Sequence, residues 1–301
     1  MQKRILNRDF QPTEWIVGEK ENTMTVKGYL DYIANIACVR DTERTSIDTS
    51  LLYLENRLRA HFGTAISQRH VFGSYSRGTI LPRKIDRHSD VDYMVVFEDT
   101  SLRPQAYLDK LRRFVEAKYT RSEIEQSHPT IRLSLNHIHF ELVPAINLFG
   151  LKIPSKSEGE QVWMETNPTE FNKKLTEKNQ AHGNVIKPLV RCVKFWNAAN
   201  DYIYESYALE KKIIDFQFSR YGFLSPPSLE KYFFEFMNAL SLPWLCAQRK
   251  SQKLQRTKNI LGNIMQCKGY NPSQAEVELK KLLPYPFPQT NLSARKTLLG
   301  T

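Results

Sequence analysis

Two aspartates separated by one residue, Asp90 and Asp92, stand at the head of an apolar run over residues 93–97. Side chains alternate along a β-strand, so these two carboxylates point to the same side of the predicted strand. Paired carboxylates hold divalent cations, and Mg²⁺ typically joins one or two of them to the phosphates of a substrate. The pair is typical of a metal site for a phosphorylated substrate, although a solvated strand start is the common alternative for such a pair alone.

A glycine and a serine, Gly73-Ser74, lie shortly before this pair, between a predicted strand over residues 70–72 and a predicted helical turn over residues 76–80. The first N–H groups of such a turn have no partner within the helix and can bind a phosphate. A basic loop then leads to the aspartates, and it contains Arg83, Lys84 and Arg87. The order of these parts, more than any one of them, predicts a site for a nucleoside triphosphate and metal ions, and hence nucleotidyl transfer.

A third carboxylate is expected on a neighbouring strand, because transfer with two metal ions needs ligands on both sides of the ion pair. Glu141 is the candidate, since residues 131–135 and 138–143 are predicted to be strands joined by a tight turn. Pro144 is predicted to end the second strand because it has no N–H for the ladder. Asp86, in the basic loop, is the competing candidate for this third ligand.

Two histidines, His137 and His139, are predicted on the same face of the second strand as Glu141. They raise the alternative of a zinc site, but no cysteine or further histidine stands at ligand spacing. A polar lining of the cleft is the simpler interpretation of these histidines.

Three later segments accompany the pattern: a Trp-x-x-Thr-Asn-Pro passage over residues 163–168, a helix over residues 189–197 that carries Lys194, and Ser-Tyr-Ala-Leu-Glu over residues 206–210. With these segments the chain resembles the polymerase-β-type nucleotidyltransferase superfamily. Within it the chain is most similar to the bacterial cGAS/DncV-like nucleotidyltransferases (CD-NTases), the oligonucleotide cyclases of anti-phage signalling known as CBASS. The similarity covers about residues 50–214. One difference is Glu141, where the family more often has aspartate.

This resemblance implies roles for individual residues. Asp90, Asp92 and Glu141 would hold two Mg²⁺ ions, with Mn²⁺ as an alternative, and Glu141 would also serve as a general base. The triphosphate would be bound by Gly73, Ser74, Lys194, Ser206 and Tyr207, with Arg77 and Thr79 close by. The implied product is a cyclic di- or trinucleotide second messenger, read by a downstream effector, and an accessory regulator is a further implied partner.

Two other functions compete with the cyclase. A related transferase would add nucleotides to RNA, to a small molecule or to a protein. A degenerate copy of the fold would serve only as a binding module, which the intact Asp90, Asp92, Ser74 and Lys194 disfavour. The absence of a recognisable RNA-binding module in the sequence mildly disfavours the RNA transferase.

Composition agrees with a cytoplasmic enzyme that is monomeric. The 301 residues suffice for a substantial core, and 41% of them are hydrophobic and 25% charged, as in ordinary globular proteins. No apolar stretch reaches the roughly 20 residues that span a bilayer, and residues 1–10 lack the apolar segment of a secretion signal. The four cysteines are far apart in the chain, which favours reduced thiols.

The formal net charge is +11 and the isoelectric point is near 9.4, which favours anionic ligands. The basic residues are spread along the chain, in groups such as 173–174, 211–212 and 249–258. Because no block dominates, we expect triphosphate binding rather than a dedicated nucleic-acid surface.

The predicted fold class is α+β: a polymerase-β-like nucleotidyltransferase core, with a mixed sheet flanked by helices, and an α-helical C-terminal lobe. The active site is expected in the cleft between them. Apolar spacing predicts N-terminal helices over residues 1–60 that pack on both lobes, a core over 61–165, a helical lobe over 166–283 and a tail over 284–301. A helix start is predicted at residues 45–48, helices are predicted at 104–119, 168–182, 185–199, 206–218, 228–245, 251–266 and 272–282, and residues 251–257 are polar enough to form a loop instead.

Overall fold

The computed structural model describes residues 24–120, 122–127, 129–155, 162–219 and 226–285. The predictions for residues 1–23, and those for the tail from residue 286 onward, lie outside the described residues. Within the described ranges, no helix has the length and apolar character needed to cross a membrane.

The chain forms a sheet and two groups of helices. The strands are β1 (Ile66–Val71), β2 (Asp90–Phe97), β3 (Glu123–Ser127), β4 (Thr130–Ser134), β5 (His139–Asn147), β6 (Leu151–Pro154) and β7 (Trp163–Glu165). The helices are α1 (Val26–Ile36), α2 (Asp41–Phe62), α3 (Gly73–Arg77), α4 (Pro104–Lys118), α5 (Pro168–Ala181), α6 (Ile186–Ala199), α7 (Ser206–Asp215), α8 (Leu229–Ala239), α9 (Gln248–Cys267) and α10 (Pro272–Leu282). A single 3₁₀ turn, Gly63–Ala65, leads from α2 into β1.

The strands form one mixed sheet in the order β1-β2-β5-β4-β3, which β6 and β7 extend from β5. β2 and β5 pair in parallel, whereas the other neighbours pair antiparallel. Parallel strands need a long crossover, and here the chain between β2 and β5 supplies α4, β3 and β4. The predicted α+β fold class, with its mixed sheet and helical lobe, is confirmed.

The two faces of β2 have different surroundings. Val91, Val95 and Phe97 pack into a core with residues of α2 and α4. Met94 and Val96 point to the opposite face, where they form a small cluster with Ala145 of β5 and partly buried neighbours. Because side chains alternate along a strand, Asp90 and Asp92 lie on the face of Met94 and Val96, away from α2 and α4. The carboxylates therefore point away from the main core of the sheet.

A second core holds the helical lobe together. It unites buried apolar residues of α1 and α5–α10 around the fully buried Trp196 of α6. The indole N–H of Trp196 donates to Thr257 Oγ1 of α9 at 3.1 Å, so the one polar atom of that side chain is satisfied. The first two helices divide between the cores, because α1 packs with the helical lobe and α2 packs with the sheet.

Several predicted element bounds are wrong: the helix predicted over residues 228–245 ends at Ala239, and the helical turn predicted over residues 76–80 is α3, which ends at Arg77. β5 continues through Pro144 to Asn147. The proline fits within the strand because β4 pairs with β5 only as far as Leu142, and β6 pairs with β5 only from Ile146 onward. That stretch of β5 has no partner on the β4 side, where an N–H would otherwise be needed. α2 begins at Asp41 rather than near residue 45. The helix predicted over residues 251–266 is confirmed as part of α9, and the alternative of a loop at residues 251–257 is wrong.

The division of α1 and α2 gives a stability prediction. Leu30 of α1 is fully buried in the helical-lobe core, so Leu30→Ala should lower the free energy of unfolding by about 2–5 kcal/mol, through lost burial and an unfilled cavity. Leu52 of α2 is 59% exposed, so the control Leu52→Ala should change it by less than about 0.5 kcal/mol. Urea denaturation followed by circular dichroism measures both, and equal effects would contradict the assigned packing of α1.

Candidate active site

Parallel pairing places the candidate acidic residues on adjacent strands. Asp92 of β2 lies opposite Glu141 of β5, and Asp90 lies opposite His139. Residues in register on neighbouring strands project to the same face of a sheet. The predicted carboxylates therefore come from two strands that meet side by side, as the sequence analysis anticipated.

Gly73 fits against Asp92 so closely that no other residue can replace it. Phe72 N–H donates to the Asp92 carbonyl at 3.0 Å, which extends the pairing of β1 with β2 by one residue. The chain then turns into α3 through Gly73, at φ +68°. A Cβ at this position would lie 1.7 Å from Asp92 Oδ2. Both the backbone angle and the space demand glycine, and Ser74 follows directly on the wall of the cleft.

Glu141 is held by a cation that the sequence analysis did not consider. Arg132 lies opposite Glu141 in the β4–β5 register, and Arg132 Nη2 donates to Glu141 Oε1 at 2.7 Å. In the described part of the chain, no group of three or more His, Cys, Asp or Glu side chains is placed to hold a metal ion. The structure thus brings Asp90, Asp92 and Glu141 onto one face but does not assemble them as a ligand set, because Glu141 pairs with Arg132.

The surroundings of Asp90 and Asp92 raise the pKa of both carboxyl groups. Burial is the main cause that raises the pKa of Asp90 to about 7, and the negative charge of Glu141 adds to it. Burial also raises the pKa of Asp92 well above its usual value, together with the charges of Asp90 and Glu141. Lys194 opposes both shifts. Such mutual repulsion in a buried site is what a bound divalent cation would relieve.

Lys194 lies on the cleft wall but is engaged in a buried network. Its Nζ donates to the Thr79 carbonyl at 3.1 Å and to Glu210 Oε1 at 3.3 Å. Arg77 Nε donates to Glu210 Oε2 at 2.8 Å, and Thr79 Oγ1 donates to Oε1 at 2.9 Å. Only 1% of the Glu210 side chain is exposed. The predicted residues Arg77, Thr79 and Lys194 therefore meet around one carboxylate that was not predicted.

The start of α7 forms the wall of the cleft opposite Ser74. Ser206 is the first residue of this helix and lines the cleft. Tyr207 is 58% exposed, and its ring lies 4.9 Å from that of Phe171 with a tilt of 32°. The guanidinium of Arg77 covers the ring of Phe171 at 4.8 Å. This wall thus presents an exposed aromatic face supported from behind by a cation.

Asp86 and the two histidines have other partners. Asp86 Oδ1 accepts from Tyr202 Oη at 2.5 Å and from the His88 N–H at 2.9 Å, so Asp86 shapes its own loop. His139 Nε2 accepts from Arg83 Nη2 at 2.8 Å. His137 Nε2 lies 3.1 Å from Ser50 Oγ of α2. A zinc site built on His137 and His139 finds no support in these contacts.

A cleft of about 830 Å³ lies between the sheet and the helical lobe, and the residues that line it do not include Glu141, His137 or His139. Its lining includes Gly73, Ser74, Asp90, Asp92, Lys194 and Ser206. That volume lies in the range typical of sites for small ligands and cofactors. A partly buried acidic pair therefore shares with cationic and aromatic residues a space large enough for a nucleotide.

Sequence reasoning missed four residues of the site. They are Arg132, Phe171, Tyr202 and Glu210. For Arg132 a signal was present, because a two-residue turn at 136–137 puts residue 132 opposite 141 in the predicted hairpin. Glu210 ends the Ser-Tyr-Ala-Leu-Glu segment, one turn after Tyr207, but its partners come from distant segments.

The mixed sheet with its flanking helices has the polymerase-β-like fold of the CD-NTases. Residues 24–179, more than half of the chain, match the model of the Second Messenger Oligonucleotide or Dinucleotide Synthetase domain. The chain belongs to this family, which confirms the predicted resemblance. A probable cyclic nucleotide synthase of Bacillus cereus strain VD146 is 26% identical over 204 residues, which are 55% of this chain and 60% of that protein. The similarity thus spans less than two thirds of that relative.

Solved structures agree on the fold. CdnC of Escherichia coli MS115-1 with ATP has a TM-score of 0.62 at 14% identity, over 85% of this chain and 98% of CdnC. The same protein in complex with HORMA-deltaN also gives 0.62, at 13% identity, over 87% and 98%. DncV of Vibrio cholerae with a linear pppA(3′,5′)pG intermediate gives 0.57 at 11% identity, over 85% and 81%. At such identities the likeness shows the fold alone.

The contact between Gly73 and Asp92 gives a direct prediction. Gly73→Ala should abolish activity, because its Cβ would force Asp92 out of place. Gly183 is the matched control: its φ of +62° is similar, but no atom lies within 4 Å of a Cβ placed there. Gly183→Ala should cost about 1 kcal/mol of stability and leave turnover unchanged. Assays of product formation with melting temperatures compare the two, and an active Gly73→Ala protein would contradict the close approach.

Proposed function

We propose that this protein is a nucleotidyltransferase that condenses nucleoside triphosphates into a cyclic di- or trinucleotide second messenger. The observation that carries the proposal is the partly buried carboxylate pair Asp90 and Asp92, which lines the cleft together with Lys194. Asp92 lies in register with Glu141 of the neighbouring strand. Membership in the family of second-messenger synthetase domains supports nucleotidyl transfer as the reaction at this site.

Asp90, Asp92 and Glu141 are the residues that would hold Mg²⁺ or Mn²⁺. The partly buried aspartates fit such a role because they repel each other and, among the residues that the structure describes, no cation is hydrogen-bonded to them. Glu141, in contrast, shares its carboxylate with Arg132. Two such ions, when bound, would lower the pKa of the attacking hydroxyl and neutralise charge on the leaving pyrophosphate.

The chain's own residues would bind and orient the triphosphate. Ser74 and the turn at Gly73 lie beside Asp92, so a phosphate held there is close to the acidic pair. Lys194 and Ser206 would approach the phosphates from the helical lobe. Tyr207 offers an exposed ring on which a base can stack.

The reaction follows from this placement. A ribose hydroxyl oxygen of one nucleotide attacks the α-phosphorus of another, a new P–O bond forms, and the bond to pyrophosphate breaks. Glu141 would accept the proton of the hydroxyl as general base. For a dinucleotide, a second attack of the same kind within the linear product closes the ring and releases a second pyrophosphate. A trinucleotide needs one further condensation before the ring closes, and three pyrophosphates are then released.

The wider setting belongs to the same proposal. CdnC, a relative in fold, has been seen with a HORMA protein, and we extend to this chain an accessory regulator of that kind. The product would activate a downstream effector in a cytoplasmic anti-phage response. We propose that the enzyme acts as a monomer on free nucleotides, without a dedicated nucleic-acid partner.

The first test is a product assay on the acidic pair. Full-length protein is incubated with labelled ATP, GTP, CTP and UTP and Mg²⁺ or Mn²⁺, and then with phosphatase, which spares cyclic products. The double variant Asp90→Asn and Asp92→Asn should give no resistant product. It should melt at the same temperature as the wild type or higher in metal-free buffer, because repulsion between buried charges is removed.

Two outcomes would contradict this reading. A folded double variant that still makes the resistant product would end the proposed role of the aspartates. A wild-type product that phosphatase degrades, or a ladder on added RNA, would favour a transferase that does not cyclise.

A second test concerns Glu141. Glu141→Gln should lower turnover at least about 100-fold, since it removes the charge but keeps the shape, whereas Glu141→Asp should keep partial activity and shift the preference between Mg²⁺ and Mn²⁺. Asp86→Asn is the comparison variant, because Asp86 also lines the cleft but accepts hydrogen bonds from Tyr202 and His88. If activity is lost with Asp86→Asn and kept with Glu141→Gln, the third ligand is Asp86.

A further inference from the structure

Glu210 is the most deeply buried ionised group of the cleft, and none of the roles described so far belongs to it. Its side chain is 1% exposed, although burial by itself raises the pKa of a carboxyl. The charges of Lys194 and Arg77 outweigh burial and keep the pKa of Glu210 below its usual value. A buried carboxylate is stable only with such partners, so this side chain is an anion with a fixed place.

The partners of Glu210 come from both sides of the cleft. Arg77 and Thr79 belong to the segment that ends α3, the helix that starts with the Gly73-Ser74 turn. Lys194 belongs to α6, and Glu210 itself to α7. One carboxylate therefore ties the phosphate-binding turn of the core to two helices of the opposite lobe.

Thr79 connects Glu210 to Ser74 through hydrogen bonds. The Thr79 N–H donates to the Ser74 carbonyl at 2.9 Å, its hydroxyl donates to Glu210, and its carbonyl accepts from Lys194. The hydrogen-bonding groups of this one residue thus link the serine of the turn to both helices. A displacement of Glu210 would reach Ser74 through two hydrogen bonds.

The network also leaves a net charge. One carboxylate faces two cations, so the cluster carries one excess positive charge on the cleft wall. Lys194 and Arg77 both lower the pKa of Asp92, so their field reaches the acidic pair. The Lys194 contact to Glu210, at 3.3 Å, is longer than that of Arg77, at 2.8 Å. Lys194 is therefore the cation that can be shared with a triphosphate, whereas Arg77 stays bound.

We propose that Glu210 is a positioning residue that fixes Arg77 and the Ser74 turn and shares Lys194 with the substrate triphosphate. The inference rests on the proposed nucleotidyl transfer. It predicts that Glu210 sets both the geometry of the phosphates and the strength with which they are held. If Glu210 were only structural, its replacement would lower stability but would not tighten phosphate binding while it slowed turnover.

The test separates binding from turnover. Glu210→Gln keeps the shape and raises the net charge of the cluster by one. The Kd of α,β-methylene ATP, which does not react, should fall roughly threefold to tenfold, through the added positive field and the freed Lys194. The kcat for product should fall at least about tenfold, because the phosphates are no longer held in one place. Asp215→Asn is the control on the same helix: Asp215 pairs with Lys211 at the surface, and all constants should stay at wild-type values.

The outcomes decide the proposal one way or the other. A folded Glu210→Gln protein with wild-type kcat, or with weaker binding of the analogue, overturns it. If Glu210→Gln does not fold, Thr79→Val replaces it, since it removes only the hydroxyl bonded to Glu210: a lower kcat supports the proposal and a wild-type kcat overturns it.

Failure of the proposed cyclisation can be recognised separately. If the wild type makes no cyclic product, the analogue still reports on Glu210, because tighter binding by Glu210→Gln supports its positioning role and unchanged binding overturns it. A wild type that binds none of the α,β-methylene analogues of ATP, GTP, CTP and UTP overturns both proposals.

Discussion

The site depends on the parallel pairing of β2 with β5. This pairing brings together segments separated by a helix and a hairpin, and it puts Asp92 beside Glu141 on the face that continues Met94 and Val96. A shift of one residue in the register would turn Glu141 to the opposite face, into the core formed with α2 and α4. The apolar residues of that core therefore fix the positions of the acidic ones.

Around this pairing the charges are arranged in layers. The innermost are Asp90 and Asp92, whose pKa values are raised by desolvation and by nearby negative charges. Glu141 supplies that charge for Asp90, and both Asp90 and Glu141 supply it for Asp92. Arg132 balances Glu141 on one side, and the cluster of Arg77, Lys194 and Glu210 faces the cleft from the other. A negative pair next to a wall with excess positive charge suits a ligand that combines divalent cations with phosphates.

Much of this arrangement could be predicted from local pattern. Period-two alternation puts Asp90 and Asp92 on one face, and helical spacing finds α4 at Pro104–Lys118. The tight turn after residue 135 also sets the register that pairs Arg132 with Glu141. This pairing could have been predicted from the sequence but was not. Such features involve residues close in sequence, so propensity and spacing determine them.

The rest depends on long-range packing that no local pattern encodes. Glu210 accepts a hydrogen bond from Arg77, which is 133 residues away in the sequence. Glu210 therefore becomes a buried anion only when the two lobes pack together. Lys194 was expected to be free for phosphate, yet it is bonded to Thr79 and Glu210. Pro144 was expected to end its strand, but the gap between β4 and β6 along β5 lets the strand continue. Each difference arises from a partner distant in the chain.

We propose that Asp90, Asp92 and Glu141 come together as one metal-binding centre beside the Gly73 turn when metal ions bind. A crystal structure of the full-length protein with Mn²⁺ and a non-reacting triphosphate analogue tests it most directly, since anomalous scattering locates the ions. The account predicts ions bound by Asp90 and Asp92, with Glu141 released from Arg132 as a further ligand and the phosphates between Ser74 and Lys194. Ions bound at Asp86, or a triphosphate held away from the Gly73 turn, would contradict it.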